Sequence, residues 1–235
     1  MTTAPALHRI LSRVVDVQPH EVRALLWSFA YFFCVLAAYY ILRPVRDEMG
    51  VLAGIHKLPW FFFTVFLTML AVVPLFGWAA SRLTIRHLLP TIYLFFVLNL
   101  IGFFTALQTG SDLTTLAPIF FVWVSVFNLF IVSVFWSFMA DVFSTDGARR
   151  LFGFISAGGS LGAISGPLFT ATTVKGLGVA SLLLVSAALL LTAVGCIMGL
   201  FVWYKDHHGE DLGAKHLASS DTSSDTPPSL WVGLV

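Results

Sequence analysis

Residues 114–140, TTLAPIFFVWVSVFNLFIVSVFWSFMA, carry no charged side chain anywhere along their length. Inside a lipid bilayer each backbone N–H and C=O group must find its hydrogen-bond partner within the protein, and an α-helix meets that requirement. A helix needs about 20 predominantly apolar residues to cross the hydrocarbon core. This stretch is longer than that, so it predicts a helix that spans a membrane.

Five further apolar runs of comparable length are separated by short segments that contain the charged residues. They cover 24–42, 58–80, 88–107, 151–174 and 177–204. With 114–140 as the fourth helix, these runs predict an all-α integral membrane protein with six transmembrane helices. The predicted domains are a cytoplasmic N-terminal segment at 1–22, a six-helix transmembrane domain at 23–205 and a disordered cytoplasmic tail at 206–235, rich in Ser and Pro.

The composition agrees with membrane insertion and excludes other classes of protein. Of the 235 residues, 58% are hydrophobic and 11% are charged, and the mean hydropathy is +0.90. Soluble domains carry about 25% charged residues. The net charge of +1 offers no concentrated basic face, so a nucleic-acid partner is excluded. Cys34 and Cys196 both lie inside apolar runs, where cysteine behaves as a small hydrophobic residue, so no disulfide is predicted.

Lys and Arg residues flank the predicted helices unevenly, and positively charged loops stay on the cytoplasmic side of a membrane during insertion. The richer side holds Arg9, Arg13, Arg23, Arg82, Arg86, Arg149, Arg150, Lys205 and Lys215. The opposite side holds Arg43, Arg46, Lys57 and Lys175. We therefore expect a multi-pass protein of the cell (inner) membrane with both termini in the cytoplasm.

The densest group of polar residues near the membrane is YYILRPVRDE at 39–48. Its candidate substrate-path residues are Tyr39, Tyr40, Arg43, Arg46 and Asp47. If the first helix continues past Pro44, then Tyr39, Arg43, Arg46 and Asp47 share one face and form a polar stripe, and Arg43 and Asp47 have the i,i+4 spacing of an ion pair. Ionisable groups at membrane depth usually mark a path for substrate or ions. The alternative is a solvated loop of mixed charge, and the sequence leaves both open.

Charged residues also gather at the predicted cytoplasmic ends of the helices. The gate candidates are Gly77, Arg82 and Arg86 between the second and third helices, Asp141 after the fourth, and Arg149 and Arg150 before the fifth. Opposite charges on one side of the membrane attract, so we expect Asp141 to pair with Arg82 or Arg86. The alternative is that Asp141 is solvated or pairs locally with Arg149.

Gly158, Gly162 and Gly166 recur every fourth residue in the fifth predicted helix, and Pro167 follows them. Small residues at this spacing form a strip along which a second helix backbone can approach closely. The run resembles a phosphate-binding loop in its glycine content, but no strand precedes it and no Gly-Lys-Ser/Thr follows. We therefore predict that the strip packs against another helix.

The predicted spans offer little for catalysis or for holding a cofactor. They contain no histidine and no paired carboxylates, so an enzyme is not expected. His207, His208 and His216 lack the ligand spacing of a structural metal site, so no metal is predicted. No other cofactor is predicted.

These pieces, in this order, resemble the N-terminal six-helix half of a major facilitator superfamily transporter over residues 20–205. In that family the loop between the second and third helices has Gly, an acid four residues later, Arg, a second Gly and further basic residues. Here Gly77, Arg82 and Arg86 match, whereas Ser81 and Thr84 stand at the acid and second Gly positions. The resemblance implies one half of a major-facilitator-like bundle that works by alternating access, with this loop and Asp141 closing the cytoplasmic side.

A narrower resemblance is to the ATP/ADP translocase type of nucleotide exchanger. It rests on YILR at 40–43 with Arg46 and Asp47, and on FWSFMAD at 135–141 with Arg149 and Arg150. It implies a role in substrate handling for Arg46 and a small solute for which an anion is the first hypothesis. The acidic residue that such exchangers carry within the fourth helix has no counterpart here, because 120–140 is uncharged.

A facilitator transporter encloses its site between two six-helix halves, and this chain supplies one. We expect a truncated or split transporter gene rather than a half-sized protein that dimerises. The expected partners are the lipid bilayer and either a second six-helix half or a homodimer partner. The alternative function is a non-transporting membrane scaffold, or partner-binding subunit, whose glycine strip holds a partner helix.

Overall fold

The computed structural model of the chain describes residues 17–82, 85–110 and 112–208, and these ranges contain helices and no strand. The helices are α1 Val22–Leu52, α2 Leu58–Arg82, α3 Ile85–Gln108, α4 Leu113–Val142 and α5 Thr145–His208, with a 3-10 turn at Ile55–Lys57. Five helices in these ranges are long and apolar enough to cross a membrane. The predicted N-terminal segment up to residue 16 and the tail from residue 209 lie outside the described residues.

α1 is longer than the predicted 24–42 and includes Pro44 in its interior. Proline removes one backbone hydrogen bond of the helix, but the rest of the ladder continues to Leu52. The helix ends before Gly54, whose φ of 113° lies in a region that residues with a side chain rarely adopt. The segment 43–48 is therefore helical, which is the condition on which the predicted polar stripe depends.

α5 contains both the fifth and the sixth predicted helices, so the structure has five long helical elements in its described ranges rather than six. Its 64 residues would extend about 96 Å if straight, which is roughly three times the thickness of a hydrocarbon core. The element is not straight, because Gly178 has φ 75° and ψ 163°. Only glycine adopts such a conformation readily, so the chain changes direction there.

The two halves of α5 lie along α1 in opposite directions. In the first half, Gly158 lies against Phe29 and Gly166 against Tyr40, so residue numbers rise together in the two segments. In the second half, Ser186 Oγ donates a hydrogen bond to the Ala38 carbonyl, whereas Gly199 lies against Trp27. The numbers now run in opposite senses. α5 is therefore a helical hairpin folded at Gly178.

α1 is the central helix of the bundle, since it packs against α4 and against both halves of α5. The core between α1 and α4 is aromatic, with the rings of Phe32 and Phe135 stacked at a centroid distance of 4.1 Å. Deep in the bundle, the hydroxyls of Tyr31 on α1 and Tyr93 on α3 form a hydrogen bond of 2.6 Å. Buried aromatic rings contribute large apolar areas, and a buried hydroxyl is tolerated when it has a partner.

The outward face of α2 is apolar and exposed. Trp60 is 69% exposed, Phe66 60% and Leu70 64%. Comparable residues on α3 and α5 include Leu98 and Ile164, each 67% exposed. A surface this apolar is unfavourable in water and is typical of a face that meets lipid or another protein.

Candidate functional site

The arginine cluster, defined as Tyr39, Tyr40, Arg43, Arg46 and Asp47, lies in the second half of α1. Tyr39 is buried, Tyr40 and Arg46 are partly buried, and Arg43 and Asp47 are exposed. The structure thus places all five residues on one helix, in a band that passes from the core to the surface.

Arg46 is held from three sides. Its Nη2 and Nε atoms lie 2.6 and 3.0 Å from Asp47 Oδ1, and its Nη1 donates to Ser125 Oγ of α4 at 3.4 Å. Its guanidinium carbon stands 5.0 Å from the centroid of the Phe121 ring, a cation–π distance. The Arg46 side chain is accordingly only 15% exposed.

Ser125 is oriented to accept from Arg46. Its hydroxyl donates to the backbone carbonyl of Phe121 at 2.8 Å, which directs its lone pairs away from its own helix. Phe121 approaches α1 closely because residue 50 is glycine, where an added Cβ would lie 2.9 Å from the ring. Phe121, Ser125 and Gly50 therefore position Arg46, and none of the three was a sequence candidate.

The ion pair expected between Arg43 and Asp47 is not the one that forms. Within the part of the chain that the structure describes, the Asp47 carboxylate pairs with its neighbour Arg46. The reason is that Ser125 and Phe121 of α4 hold Arg46 beside Asp47, whereas Arg43 lies over the Tyr40 ring at 5.6 Å from its centroid. Tertiary packing therefore decides which of two arginines takes the carboxylate.

The glycine strip, Gly158, Gly162 and Gly166, lies directly against α1. A Cβ added at Gly158 would be 2.6 Å from the Phe29 carbonyl oxygen, and one at Gly162 would be 2.5 Å from the Phe33 carbonyl oxygen. Carbon atoms do not approach oxygen this closely, so only glycine permits the contact. The backbone of α1 occupies the strip, which leaves it no room for a phosphate or for a helix of another protein.

The same stretch includes Gly158-Gly159-Ser160-Leu161-Gly162, which matches the letters of the Gly-x-Ser-x-Gly hydrolase motif. That motif needs a strand before the serine and a sharp turn at it. Here Ser160 lies in the interior of a helix and its hydroxyl donates to the Ser156 carbonyl at 3.3 Å. The sequence therefore matches the motif, but the backbone around Ser160 lacks the motif's geometry.

A second polar site lies at the other end of the bundle. Arg150 donates to both carboxylate oxygens of Glu21, at 3.0 and 3.4 Å, and the Gln18 backbone N–H donates to the same carboxylate at 2.9 Å. The two side chains are 25% and 12% exposed. Nearby, Trp203 Nε1 donates to the His20 carbonyl at 3.0 Å. These contacts join the start of α1 to the start and the end of α5.

Glu21 was not a sequence candidate, although the sequence places it and Arg150 on the same predicted side of the membrane. Their pairing depends on the parallel packing of α1 and the first half of α5, which the sequence does not specify. Among the other gate candidates, Arg86 and Arg149 are exposed and Asp141 is partly exposed. Gly77 has open space where a Cβ would lie. The side chain of Arg82 lies outside the described residues, so the expected pairing of Asp141 with Arg82 stays a prediction.

A groove of about 840 Å³ lies between α2, α3 and α4. Its walls are apolar apart from threonines such as Thr64 and Thr68, whose hydroxyls donate to the carbonyls of Trp60 and Thr64 in their own helix. Groups bonded within their helix offer a ligand few directional contacts. The groove is therefore suited to acyl chains or apolar side chains and not to a charged solute.

Searches against family models, curated proteins and solved structures find no match for this chain. The class of protein therefore follows from the fold and the site themselves. The described residues form an all-helical protein with several membrane-length apolar helices, as in a multi-pass membrane protein. It carries an arginine cluster near one end of its central helix and a partly buried ion pair near the other.

Proposed function

We propose that this chain is one bundle of a membrane transporter that moves a small anionic solute by alternating access, in the manner of a major facilitator. The observation that carries the proposal is the arginine cluster on the central helix. Guanidinium groups are costly beside lipid and are retained in such positions where they meet a substrate, a cavity or another protein. The cluster has two arginines and one carboxylate, so it keeps one net positive charge that suits a negatively charged solute.

The proposed topology has six spans in the inner membrane. α1 to α4 cross once each and α5 crosses twice, folding at Gly178. An even number of crossings returns the C-terminal end of α5 to the side where α1 begins. The excess of Lys and Arg on that side then places both termini in the cytoplasm.

The proposal requires a partner bundle. Arg43 is exposed on the described chain, and a guanidinium that faced acyl chains would be unstable. A second six-helix half, or a second copy of this chain, would cover that side and enclose a polar cavity between the two bundles. Rocking of one bundle against the other would then expose the cavity to each side in turn.

The cytoplasmic gate in this proposal is the basic loop after α2 together with Asp141 at the end of α4. An ion pair between them would form in one state and break in the other, and so bias the equilibrium between the two. The test is a charge swap, in which Asp141→Arg impairs uptake and a second change, Arg82→Asp, restores part of the loss. Strict additivity of the two defects would show that the residues do not interact.

The second candidate function is a non-transporting scaffold or partner-binding subunit. The glycine strip was the feature that favoured it, because such strips receive partner helices. In the structure α1 occupies the strip, so the observation now supports packing within the bundle instead. An enzyme is also not proposed, since the arginine cluster offers no nucleophile paired with a base.

Uptake into liposomes separates the two functions. Purified protein is reconstituted alone and together with any adjacent gene product, and labelled carboxylates, phosphate and nucleotides are offered outside. A transporter accumulates at least one anion above protein-free liposomes, and Arg43→Gln and Arg46→Gln variants reduce the rate. A scaffold moves nothing in either condition, which would reject the proposal.

A further inference from the structure

Resting on the proposed function, we propose that the two arginines of the cluster have different roles. Arg43 binds the anion, and Arg46 is a positioning residue that ties α1 to α4. The ligand group is a single oxyanion, a carboxylate or a phosphate. This assignment reverses the one that the sequence resemblance implies, which gives substrate handling to Arg46.

The first argument is the number of contacts that each of the two guanidinium groups already makes. Arg46 donates two hydrogen bonds to Asp47 and a third to Ser125, and the guanidinium group of Arg46 lies over the Phe121 ring. An incoming anion would have to displace a carboxylate held by two hydrogen bonds, of 2.6 and 3.0 Å. Arg43 has one described contact, the Tyr40 ring, which leaves its five N–H donors free for an anion.

The second argument is the direction in which Arg43 faces. A step of three residues along an α-helix turns about 60° short of a full circle. Arg43 is three residues from both Tyr40 and Arg46 and therefore lies between them on the circumference of α1. Tyr40 contacts the first half of α5 at Gly166, and Arg46 contacts α4 at Ser125. Arg43 consequently faces the gap between α4 and α5.

The third argument is the charge of that gap. Asp47 neutralises Arg46, so the group formed by these two residues and Arg43 carries one net positive charge. Glu48 is five residues from Arg43 and turns about 140° away from it, so it does not face the gap. One free guanidinium presents a planar fork that matches two oxygens of a carboxylate or a phosphate. The site suits one such group, presented by a solute or by a lipid headgroup.

The test measures each arginine separately. Phenylglyoxal reacts with accessible arginines, and mass spectrometry of peptides reports the rate of modification at each position. In vesicles of neutral phosphatidylcholine we expect Arg43 to react at least about tenfold faster than Arg46. Inorganic phosphate or acetate should slow Arg43 several-fold and leave Arg23, an exposed arginine near the start of α1, unchanged.

Two further arms complete the experiment. The Asp47→Asn variant should make Arg46 reactive, because the carboxylate that occupies it is gone. In vesicles of anionic phosphatidylglycerol, slow reaction of Arg43 without added anion assigns the oxyanion to a lipid headgroup, whereas protection only by phosphate or acetate assigns it to a solute. Either result supports the site at Arg43.

The assignment is overturned if Arg46 reacts as fast as Arg43 in the parent protein, or if no anion or anionic vesicle protects Arg43 beyond the effect on Arg23. These outcomes are distinguishable from failure of the proposed function. Protection of Arg43 in a protein whose liposomes accumulate nothing would keep the site and reject the transporter.

Discussion

Replacement of Gly162 tests the contact between α1 and the first half of α5. A Cβ at this position would lie 2.5 Å from the Phe33 carbonyl oxygen and 2.9 Å from the Ala37 nitrogen. An ordinary contact begins near 3.4 Å, so the two helices would have to separate by nearly 1 Å to accept a single methyl group. Both atoms belong to the backbone, and no side-chain rotation can relieve the contact.

The size of the effect follows from two opposing contributions. Overpacking of a well-packed core costs about 1 to 3 kcal/mol. Replacing glycine by alanine inside a helix stabilises the helix by up to about 1 kcal/mol, because alanine has the higher helix propensity. We therefore expect Gly162→Ala to lose about 0 to 2 kcal/mol of stability against the parent. Against a glycine-to-alanine variant that has no clash, the loss should be about 1 to 3 kcal/mol. Gly162→Leu should prevent assembly of folded protein, because a larger side chain would force the helices further apart.

The matched control is Gly195→Ala in the second half of α5, where a Cβ would meet nothing within 4 Å. This variant gains helix propensity without a clash and should melt at or above the temperature of the parent. Melting is followed by circular dichroism in detergent. Equal melting temperatures for Gly162→Ala and Gly195→Ala would refute the close contact, as would normal expression and melting of Gly162→Leu.

Three other predictions concern charges and topology. A double-mutant cycle of Glu21→Gln and Arg150→Gln should give a coupling free energy of about 1 to 3 kcal/mol. This is more than the roughly 0 to 1 kcal/mol of an exposed pair, because both side chains are mostly buried. A coupling free energy near zero would contradict the prediction. The hydrogen bond from the Thr114 hydroxyl lowers the pKa of Asp112 in the folded protein. The ionised Asp112 therefore stabilises the fold fully above about pH 4, and this stabilisation is lost as the pH falls through the lowered pKa. The Asp112→Asn variant, whose amide also caps the helix, should lack that acid-dependent drop in melting temperature, and identical pH profiles would refute it. A reporter active only outside the cytoplasm should be active when fused after Gly110 and silent after Lys205, and the reverse pattern would overturn the orientation.

Part of the candidate site could be predicted from the sequence and part could not. The polar stripe on α1 follows from residue types and helical spacing, and it depends on continuation of the helix through Pro44. The partners of its members do not follow, since Asp47 has two arginines within reach along the helix. Ser125 and Phe121, which decide between them, are 79 and 75 positions from Arg46 and look like ordinary residues of an apolar span.

The sequence by itself determined the class of structure, because the hydropathy and the length of each apolar run are local properties of that segment. It also indicated that Gly158, Gly162 and Gly166 pack against a helix, because small residues recur there at every fourth position. The tertiary structure alone decided that α1 is central, that both halves of α5 pack against it, and that Glu21 meets Arg150. Each of these depends on which helix faces which. In an apolar chain many pairings bury similar surfaces, and only steric fit and a few polar contacts distinguish them.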